Sequence, residues 1–384
     1  MMSKSWPQVA LGEVLELKND AVPVDASATY QIAGVYSFGK GLLARGPLPG
    51  TETTYKVFHR LHKDDFVLSQ LKAWEGAMAR VTAPFDGWYL SPQFPTFRAK
   101  PDRLDIVYLD WYCRQSKIWD QLRSSARGMG DRRDSVSPAK FLSAKIPLPP
   151  LTEQHRIVAR IEELAAKIEE ARGLRQQTAE EAEALCRSIV FGDSTAVPTP
   201  MYELVKQRGH DVQVKADQTY HFAGVYCFGR GVFRGQKKSG MDFAYKQLGQ
   251  LKAGNFVYPK LMAWEGALGV VPTECDGLFV SPEFPIFEVI EDRVLPETLD
   301  VIFRTPSVWP LLAGESTGTN VRRRRLNPKD FLAYRIPLPN METQLRLRQV
   351  MMKVVSLKRL QTETAAELDA MLPTILDRAY NANI

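Results

Sequence analysis

The residues best suited to a chemical role in this sequence are arginines, which cluster in two glycine-rich segments. The first segment contains Arg127, Arg132 and Arg133, and the second contains the run from Arg322 to Arg325. An arginine side chain offers a planar fork of donors that matches phosphate oxygens or the O6/N7 edge of guanine. Four consecutive arginines repel one another unless a polyanion neutralises them. We therefore interpret these segments as DNA-contacting loops; the alternative is a solvated charged loop.

Further lysines and arginines recur at matching positions of a sequence repeat that is described below. Lys56 returns as Lys246, and Lys40 returns as Arg230. The whole chain carries a formal net charge of +6, which permits a polyanionic partner without demanding one. The cations that the sequence assigns to DNA binding are Lys40, Arg45, Lys56, Arg127, Arg132, Arg133, Arg230, Arg234, Lys237, Lys238, Lys246, Arg322, Arg323, Arg324 and Arg325.

Motifs of catalytic sites are missing from the sequence. It contains no G-x-x-x-x-G-K-[ST] phosphate loop, no strand-associated G-x-G-x-x-G and no N/D-P-P-Y/F tetrapeptide. The five histidines lack metal-ligand spacing, and His59 and His62 are expected at the surface. The repeated acids Glu75 and Glu265 have no partner acid at a useful spacing. We therefore expect a binding protein that has no catalytic site, metal or cofactor of its own.

The sequence repeats itself over most of its length. The motif A-G-V-Y that begins at Ala33 returns at Ala223, 190 residues later. The motifs A-W-E-G-A, S-P-x-F-P-x-F and I-P-L-P return at the same offset. One offset that serves about 150 residues without a net insertion indicates a tandem duplication.

A period of this length is far longer than a solenoid repeat, so each copy must be a domain with its own core. The 384 residues also fit two domains by length. Glycine and prolines between Phe191 and Pro200 mark the boundary. The predicted division is a first globular domain at 1–150, a helix at 151–191, a second globular domain at 192–340 and a C-terminal helix at 341–384.

Within each copy the sequence changes from strand-like to helical. Residues 30–98 contain short β-branched and aromatic runs broken by Gly and Pro, which predict strands. A helical stretch follows at 105–125, and I-P-L-P is predicted to be extended because two prolines in four residues cannot join an interior strand or a helix. The predicted fold class is α+β, and A-W-E-G-A and S-P-x-F-P-x-F are assigned to structural packing.

Both copies end in a long helix whose apolar residues follow a heptad spacing that polar residues interrupt at mid-span. A helix of about 38 residues spans roughly 57 Å, too long to pack only on its own domain. We expect the two helices to pair as an antiparallel coiled coil with pseudo-twofold symmetry; the alternative is two helices that each lie on their own domain. Pro373 is expected to kink or end the second helix. The residues assigned to this coiled coil or to partner contact are Ile157, Ile161, Leu164, Ile168, Leu185, Leu347, Val354, Leu357, Leu368 and Ile375.

The sequence has no feature of a membrane or secreted protein. No stretch approaches 18 consecutive apolar residues, and the N-terminus lacks the pattern of a signal peptide. The four cysteines lie far apart without a C-x-x-C pair. These features favour a reducing, cytoplasmic location.

With these residues in view, the sequence resembles the specificity (S) subunits of type I restriction-modification systems. The resemblance covers essentially the whole chain and rests on the order of a globular domain, the element I-P-L-P-P-L-x-E-Q, a long helix, and then the same again. The first element runs from Ile146 to Gln154. The second is degenerate, with Thr343 in place of the family glutamate, which predicts a weaker hydrogen bond at that helix start. The C-terminal pattern L-L-P-x-I-L-x-x-A appears from Met371 to Ala379.

The resemblance implies two tandem target-recognition domains that each read one half of an asymmetric, split DNA site. It implies that the paired helices fix the spacer and dock two methyltransferase subunits, which bring S-adenosylmethionine. Translocase/nuclease subunits would join for cleavage that depends on ATP and magnesium. The chain itself would be a non-catalytic specificity subunit that holds no cofactor and contacts no membrane.

Two other functions stay open at this point. One is a restriction enzyme with fused recognition halves, which the missing nuclease and methylase motifs disfavour. The other is a recognition or scaffold subunit of a different phage-defence complex that has no restriction activity. The salt dependence of DNA affinity separates a DNA reader from a scaffold, because several phosphate contacts give a steep slope.

Overall fold

The computed structural model describes residues 6–123, 135–314 and 325–381. The chain forms two compact units, which we call unit 1 (Met1–Gly173 and Thr364–Ile384) and unit 2 (Leu174–Glu363). The C-terminal helix thus belongs to unit 1, and the second part of the central helix belongs to unit 2. Each unit therefore combines one globular domain with helical segments from both halves of the sequence.

The described strands of unit 1 form a five-stranded sheet in the order β3-β6-β9-β4-β5, a four-stranded sheet in the order β2-β10-β7-β8 and the pair β1-β11. All pairs are antiparallel except β4 with β9. The strands are β1 (Gln8–Ala10), β2 (Leu15–Leu17), β3 (Asp20–Pro23), β4 (Thr29–Val35), β5 (Leu42–Pro49), β6 (Val57–Arg60), β7 (Phe66–Leu68), β8 (Met78–Arg80), β9 (Tyr89–Leu90), β10 (Thr96–Ala99) and β11 (Lys145–Pro147).

Unit 2 repeats this arrangement with the sheets β14-β17-β20-β15-β16 and β13-β21-β18-β19 and the pair β12-β22. The I-P-L-P elements lie in β11 and β22, so they are extended as predicted and also pair with the first strand of their unit. The strands are β12 (Val197–Pro200), β13 (Val205–Arg208), β14 (Val212–Gln213), β15 (Thr219–Tyr226), β16 (Gly231–Ser239), β17 (Gln247–Gln250), β18 (Phe256–Val257), β19 (Gly269–Val270), β20 (Phe279–Val280), β21 (Ile286–Val289) and β22 (Arg335–Leu338).

The helices are short in the globular parts and long after them, which confirms the predicted α+β fold with a long helix following each domain. The central helix has 41 residues, and the C-terminal one is divided at Thr364. No helix of the described ranges is long and apolar enough to cross a membrane. The helices are α1 (Leu11–Val14), α2 (Ile106–Tyr112), α3 (Ser116–Leu122), α4 (Pro138–Ser143), α5 (Leu151–Phe191), α6 (Pro296–Arg304), α7 (Trp309–Gly314), α8 (Pro328–Ala333), α9 (Met341–Glu363) and α10 (Ala365–Tyr380).

Each unit has an aromatic core between its four-stranded sheet and its short helices. In unit 1, Phe66 stacks on Phe141 with ring centroids 5.9 Å apart. In unit 2, Phe256 stacks on Phe331 at 5.3 Å. Offset stacking of buried rings stabilises the core beyond the apolar area that the rings remove from water. The same contact in both units shows that the duplication preserved the packing of the core as well as the order of the elements.

A buried glutamine joins the globular part of unit 1 to its long helix. Gln154 lies in the first turn of α5 and is fully buried. Its Oε1 accepts a hydrogen bond from the Asp105 main-chain nitrogen at 2.8 Å. Its Nε2 donates to the carbonyl oxygens of Arg103 and Pro149, both at 2.9 Å. Because both donors and the acceptor of this amide are used, it is buried without an unpaired group, and it fixes the start of α5 against the segment before α2.

Gln344 makes the equivalent connection in unit 2. Its Oε1 accepts from the Leu295 main-chain nitrogen at 2.8 Å, and its Nε2 donates to the Pro339 carbonyl at 2.9 Å. The glutamate missing at Thr343 was expected to weaken this helix start, but another side chain caps it. Asn340 Oδ1 accepts from the Thr343 main-chain nitrogen at 2.9 Å, which satisfies one of the unpaired donors of the first helical turn.

In unit 1 the first part of α5 packs antiparallel against α10. Ile157, in the second turn of α5, shares a buried cluster with Leu376 and Ala379. Further along α5, the Arg172 guanidinium is 2.9 Å from the Asp369 carboxylate. Residues later in α5 therefore lie beside residues earlier in α10, so the two helices run antiparallel.

The last residues of α10 complete the core of unit 1. The Tyr380 hydroxyl donates to the Tyr108 carbonyl at 2.7 Å, and the Tyr108 hydroxyl donates to the Pro147 carbonyl at 2.7 Å. Burial raises the pKa of the Tyr380 hydroxyl well above its usual range, so this group stays a neutral donor. The C-terminal helix is therefore an integral part of the first globular domain.

In unit 2 the second part of α5 packs antiparallel against α9. The Lys358 ammonium is 3.1 Å from the Glu183 carboxylate. Cys186 and Val190, later in α5, share a buried cluster with Leu347, which lies earlier in α9. The predicted antiparallel pairing of heptad helices is thus present within each unit.

The structure corrects the heptad register at one assigned position. Leu185 is 49% exposed, and Cys186 and Val190 occupy the buried side instead. A straight helix drifts by about 20° per heptad against a strict repeat, and the shift falls after the polar interruption that ends at Thr178. Of the other assigned positions, Ile157, Ile161, Ile168, Leu347 and Leu368 are buried, and Leu164, Val354, Leu357 and Ile375 are half-buried.

Of the two outcomes expected for Pro373, a kink or an end of the second helix, the structure excludes the end. Pro373 lies inside α10, which continues to Tyr380. The proline is exposed, so water can satisfy the carbonyl that its missing N–H leaves unpaired. The break in the C-terminal helix falls instead at Thr364, where φ is −95° and ψ is 3°.

Replacing Gln344 by Ala should destabilise unit 2. The Leu295 N–H and the Pro339 carbonyl would lose their partner in the interior, and each such loss costs about 1–3 kcal/mol. We expect the free energy of unfolding to fall by at least about 2 kcal/mol in urea denaturation. Gln349→Ala is the matched control, because Gln349 lies on the exposed side of the same helix. Equal effects of the two substitutions would contradict the role of the buried amide.

Candidate nucleic-acid interface

A basic surface lies in each unit on a hairpin at one edge of the five-stranded sheet. We call the hairpins Thr29–Pro49 and Thr219–Ser239 the basic hairpins; they consist of β4 and β5 in unit 1 and of β15 and β16 in unit 2. Neither contains Asp or Glu. All of their lysines and arginines are exposed, and the structure brings together Lys40 and Arg45 in unit 1 and Arg230, Arg234, Lys237 and Lys238 in unit 2. Such a strip of positive charge suits the backbone of a nucleic acid.

Several charges of the long helices form ion pairs, unlike the cations of the basic hairpins. Glu163 contacts both Arg160 and Lys167, and Arg172 contacts Glu169 as well as Asp369. These neighbours hold the pKa of the Glu163 carboxyl below its usual value. Within the described ranges, the hairpin cations have no ion-pair partner within 4.0 Å. The positive charge of the hairpins is therefore not balanced by an ion pair within the described residues.

The other cations assigned from the sequence fall into three groups. Lys56 and Lys246 are exposed at the starts of β6 and β17, beside the basic hairpins in sequence but not on them. Arg325 forms an ion pair with Glu283, so its charge is already balanced within unit 2. Arg127, Arg132, Arg133, Arg322, Arg323 and Arg324 lie outside the described residues, and their assignment stays a prediction.

The turn of each basic hairpin is held by the motif A-W-E-G-A. In unit 1 the Phe38 and Gly39 main-chain nitrogens donate to the Glu75 and Gly76 carbonyls at 2.8 and 3.0 Å. In unit 2 the corresponding bonds have the same lengths. Ala73–Glu75 forms a 3₁₀ turn that ends at Gly76 with a φ of +79°. The motif thus has the structural role that the sequence predicted, and its specific task is to fix the hairpin turn.

Gly76 is required because an indole packs directly on its Cα. A Cβ at Gly76 would lie 2.4 Å from the Trp119 ring. The Trp119 Nε1 donates to the Cys113 carbonyl at 2.7 Å, which fixes the indole between α2 and α3. The same arrangement recurs at Gly266, where a Cβ would lie 2.4 Å from the Trp309 ring. The recurrence of Trp at position 119 of the first copy and 309 of the second is explained by this contact.

The potential metal ligands and nucleophiles of the described residues include the cysteine thiols and His59. No cluster of three His, Cys, Asp or Glu is placed to hold a metal ion in this part of the chain. Burial raises the pKa of the thiols of Cys113, Cys186, Cys227 and Cys275. Raised pKa values keep these thiols protonated, so they are poor nucleophiles. His59, expected at the surface, is buried, and its Nδ1 lies 3.1 Å from the Phe94 carbonyl oxygen.

Unit 2 also contains a cleft of about 630 Å³ between its basic hairpin and its helix pair. Phe228 and Arg230 of the hairpin line one side, and Glu183 of α5 and Val355 of α9 line the other. At its base the Arg304 guanidinium is 2.9 Å from the Asp300 carboxylate. Burial raises the pKa of Asp300, although the Arg304 charge opposes this effect. Sequence reasoning missed this cleft because its walls come from distant segments.

Comparison with known proteins shows a similar fold over the whole chain and a match to one family model in the first part of it. Residues 3–178 match the family described as type I restriction modification DNA specificity domain. The HsdS subunit from Thermoanaerobacter tengcongensis is similar in structure, with a TM-score of 0.57 and 23% identity over 99% of this chain and 98% of that one. A second similar chain comes from a structure described as the structural basis of complex assembly and conformational transition of the type I R-M system. It has a TM-score of 0.67 and 21% identity over 99% of both chains. A sequence comparison with curated proteins finds no match.

Gly76→Ala should destabilise unit 1 more than Gly87→Ala. Both glycines have a positive φ, +79° and +77°, so each alanine pays about 1–2 kcal/mol for the left-handed conformation. Only the Cβ at position 76 meets an indole, whereas nothing lies within 4 Å of a Cβ at position 87. We expect a further loss of about 1–3 kcal/mol for Gly76→Ala, which thermal or urea unfolding measures. Equal losses would show that Trp119 does not clamp the turn.

Proposed function

Because residues 3–178 match the type I restriction modification DNA specificity domain family, we propose that the chain is the specificity subunit of a type I restriction-modification complex. Each globular domain reads one half of a bipartite DNA site. The single observation that carries this proposal is the basic hairpin, which places cations without acids at the same sheet edge of both units. Phosphate contacts from such residues supply affinity and register, and base-edge contacts supply the sequence preference.

The two half-sites differ in sequence, so the site is asymmetric. The edge strands β5 and β16 occupy equivalent positions but carry different residues. In unit 1 the only cation of β5 is Arg45, whereas β16 of unit 2 carries Arg234, Lys237 and Lys238. Two recognition domains that share a fold but carry different contact residues select different bases. A palindromic site would need two equivalent reading surfaces.

The helix pairs set the spacer between the half-sites and dock two methyltransferase subunits. Antiparallel packing occurs in both units, which offers two related helical surfaces for two copies of one partner. The partners supply the chemistry: S-adenosylmethionine for adenine methylation and, where translocase/nuclease subunits join, ATP and magnesium for cleavage. This chain contributes recognition and no catalytic group, and a partner that is chromosomal or phage DNA implies a cytoplasmic location.

Lys237→Ala combined with Lys238→Ala should weaken DNA binding by the assembled complex. Each lysine that contacts a phosphate makes the fall of log affinity with log salt steeper by about 1. Removing both lysines should therefore reduce the magnitude of this slope by about 2. Fluorescence anisotropy with duplex DNA over a range of salt concentrations measures the slope. The matched control is Lys252→Ala with Lys329→Ala, which removes the same charge from exposed positions of unit 2 outside the hairpin.

A salt slope that falls equally for both double variants would contradict the assignment of the hairpin. A wild-type complex whose DNA affinity does not change with salt would contradict the proposed function itself. In that case the chain would instead be a scaffold subunit of another phage-defence complex.

Sequencing of methylated adenines in a host that carries the complete complex tests the asymmetric site. We expect a split recognition sequence whose two halves differ, methylated once in each half. Deleting this chain should abolish the methylation while the methyltransferase subunits are still expressed. A palindromic methylated sequence would contradict the inference drawn from β5 and β16.

A further inference from the structure

The turn of each basic hairpin displays aromatic side chains to solvent. We call Tyr36–Gly41 and Tyr226–Gly231 the hairpin tips. Phe38 and Phe228 are 62% and 64% exposed, and Tyr36 and Tyr226 are 49% and 42% exposed. Exposed aromatic residues that recur at equivalent positions of two domains are not the scattered apolar residues of an ordinary surface.

Phe38 and Phe228 also share a strained backbone. Their φ angles are +63° and +62°, in the left-handed region where a bulky side chain is an outlier. The strain is held by the main-chain hydrogen bonds of Phe38 and Phe228 to Glu75 and Glu265, both 2.8 Å. The ring gains little within the unit, since its aromatic contact is an edge of Trp119 or Trp309 with centroids 6.2 and 6.5 Å apart. Strain that recurs and yields an exposed ring points to use of that ring outside the chain.

The tips are nearly identical in the two units, whereas the strands beside them differ. The tips read Y-S-F-G-K-G and Y-C-F-G-R-G, but β5 and β16 share few residues. Residues that are the same in both units cannot distinguish two different half-sites. The tips therefore suit something that both units meet in the same form.

The surroundings of the tip in unit 2 favour a protein over DNA. Phe228 lines the cleft together with Val355, which is 64% exposed, and with Met351. The carboxylates of the same cleft, Glu183 and Asp300, are already paired with Lys358 and Arg304, so the apolar side chains carry the preference for a protein. The Arg230 guanidinium lies 4.8 Å from the Tyr226 ring centroid, over the ring face. Aromatic and arginine side chains beside apolar ones are typical of the centres of protein interfaces.

We propose that the two hairpin tips anchor two copies of the same protein, one on each unit, with Phe38 and Phe228 as the central apolar contacts. The inference rests on the proposed function, under which that protein is the methyltransferase subunit. It adds that the recognition domains themselves hold the partner through the tips, in addition to the helices.

Phe38→Asn and Phe228→Asn test this proposal, because Asn tolerates the left-handed conformation and removes the ring. We expect each single variant to weaken one of two binding events of the methyltransferase subunit by at least about tenfold, measured by native mass spectrometry and calorimetry. We also expect the midpoint of thermal unfolding to rise, since the strain is relieved. Phe228→Tyr keeps the ring and the strain and should bind like the wild type. Tyr202→Asn is the control for removing an exposed aromatic residue of unit 2.

Three results would overturn the proposal. The first is two binding events of unchanged affinity in both Asn variants. The second is a lowered unfolding midpoint, which would make the ring a structural element. The third is weaker binding of one DNA half-site with unchanged methyltransferase binding, which would make the tip a DNA contact. Failure of the proposed function is separate, because it appears as a wild-type complex whose DNA affinity does not depend on salt.

Discussion

The burial of one glutamine amide in each unit is the constraint on which the rest of the structure depends. A primary amide is costly to bury unless its oxygen and both its N–H groups find partners. Gln154 meets this condition with three main-chain groups of the segments before α2 and before α5. These partners are main-chain atoms, so the requirement fixes backbone positions and not side-chain identities. The long helix therefore starts at a defined place and direction on its own globular domain, whatever residues that domain carries on its outer strands.

The duplication places the same requirement on Gln344, yet the two units are completed by different parts of the chain. In unit 1 the core is closed by the last turns of α10, where Tyr380 donates to the Tyr108 carbonyl. In unit 2 the equivalent place is filled by the end of α5, where Val190 is fully buried in the core cluster. Each globular domain thus needs a helix that the other half of the sequence supplies. The core of unit 1 is therefore complete only when α10 is in place.

The features that were predictable from the sequence are those that show as a regular spacing of residues or as a local bias in amino-acid composition. The repeat, the strand-rich domains, the long helices and the strip of cations in residues 29–49 and 219–239 all belong to this class. The predictions that the structure corrects concern residues whose environment is set by tertiary contacts. Leu185 fits a strict heptad but lies outside the seam, His59 is buried against the Phe94 carbonyl, and Pro373 is tolerated because it faces solvent. The positive φ of Phe38 has no signature in the sequence, since it results from hydrogen bonds to a motif 37 residues away.

The architecture separates what stays constant between the units from what changes. The buried glutamine at the start of the long helix is repeated in both units, as is the A-W-E-G-A motif that holds the hairpin turn together with Trp119 or Trp309. The edge strands β5 and β16 have one side without a strand partner in the described sheets, so their exposed side chains touch few of these groups. Substitutions far from shared contacts act almost independently. Substitutions on the edge strands can therefore accumulate without disturbing the clamp of the turn or the start of the helix, and under the proposed function this independence lets the two copies acquire different DNA preferences.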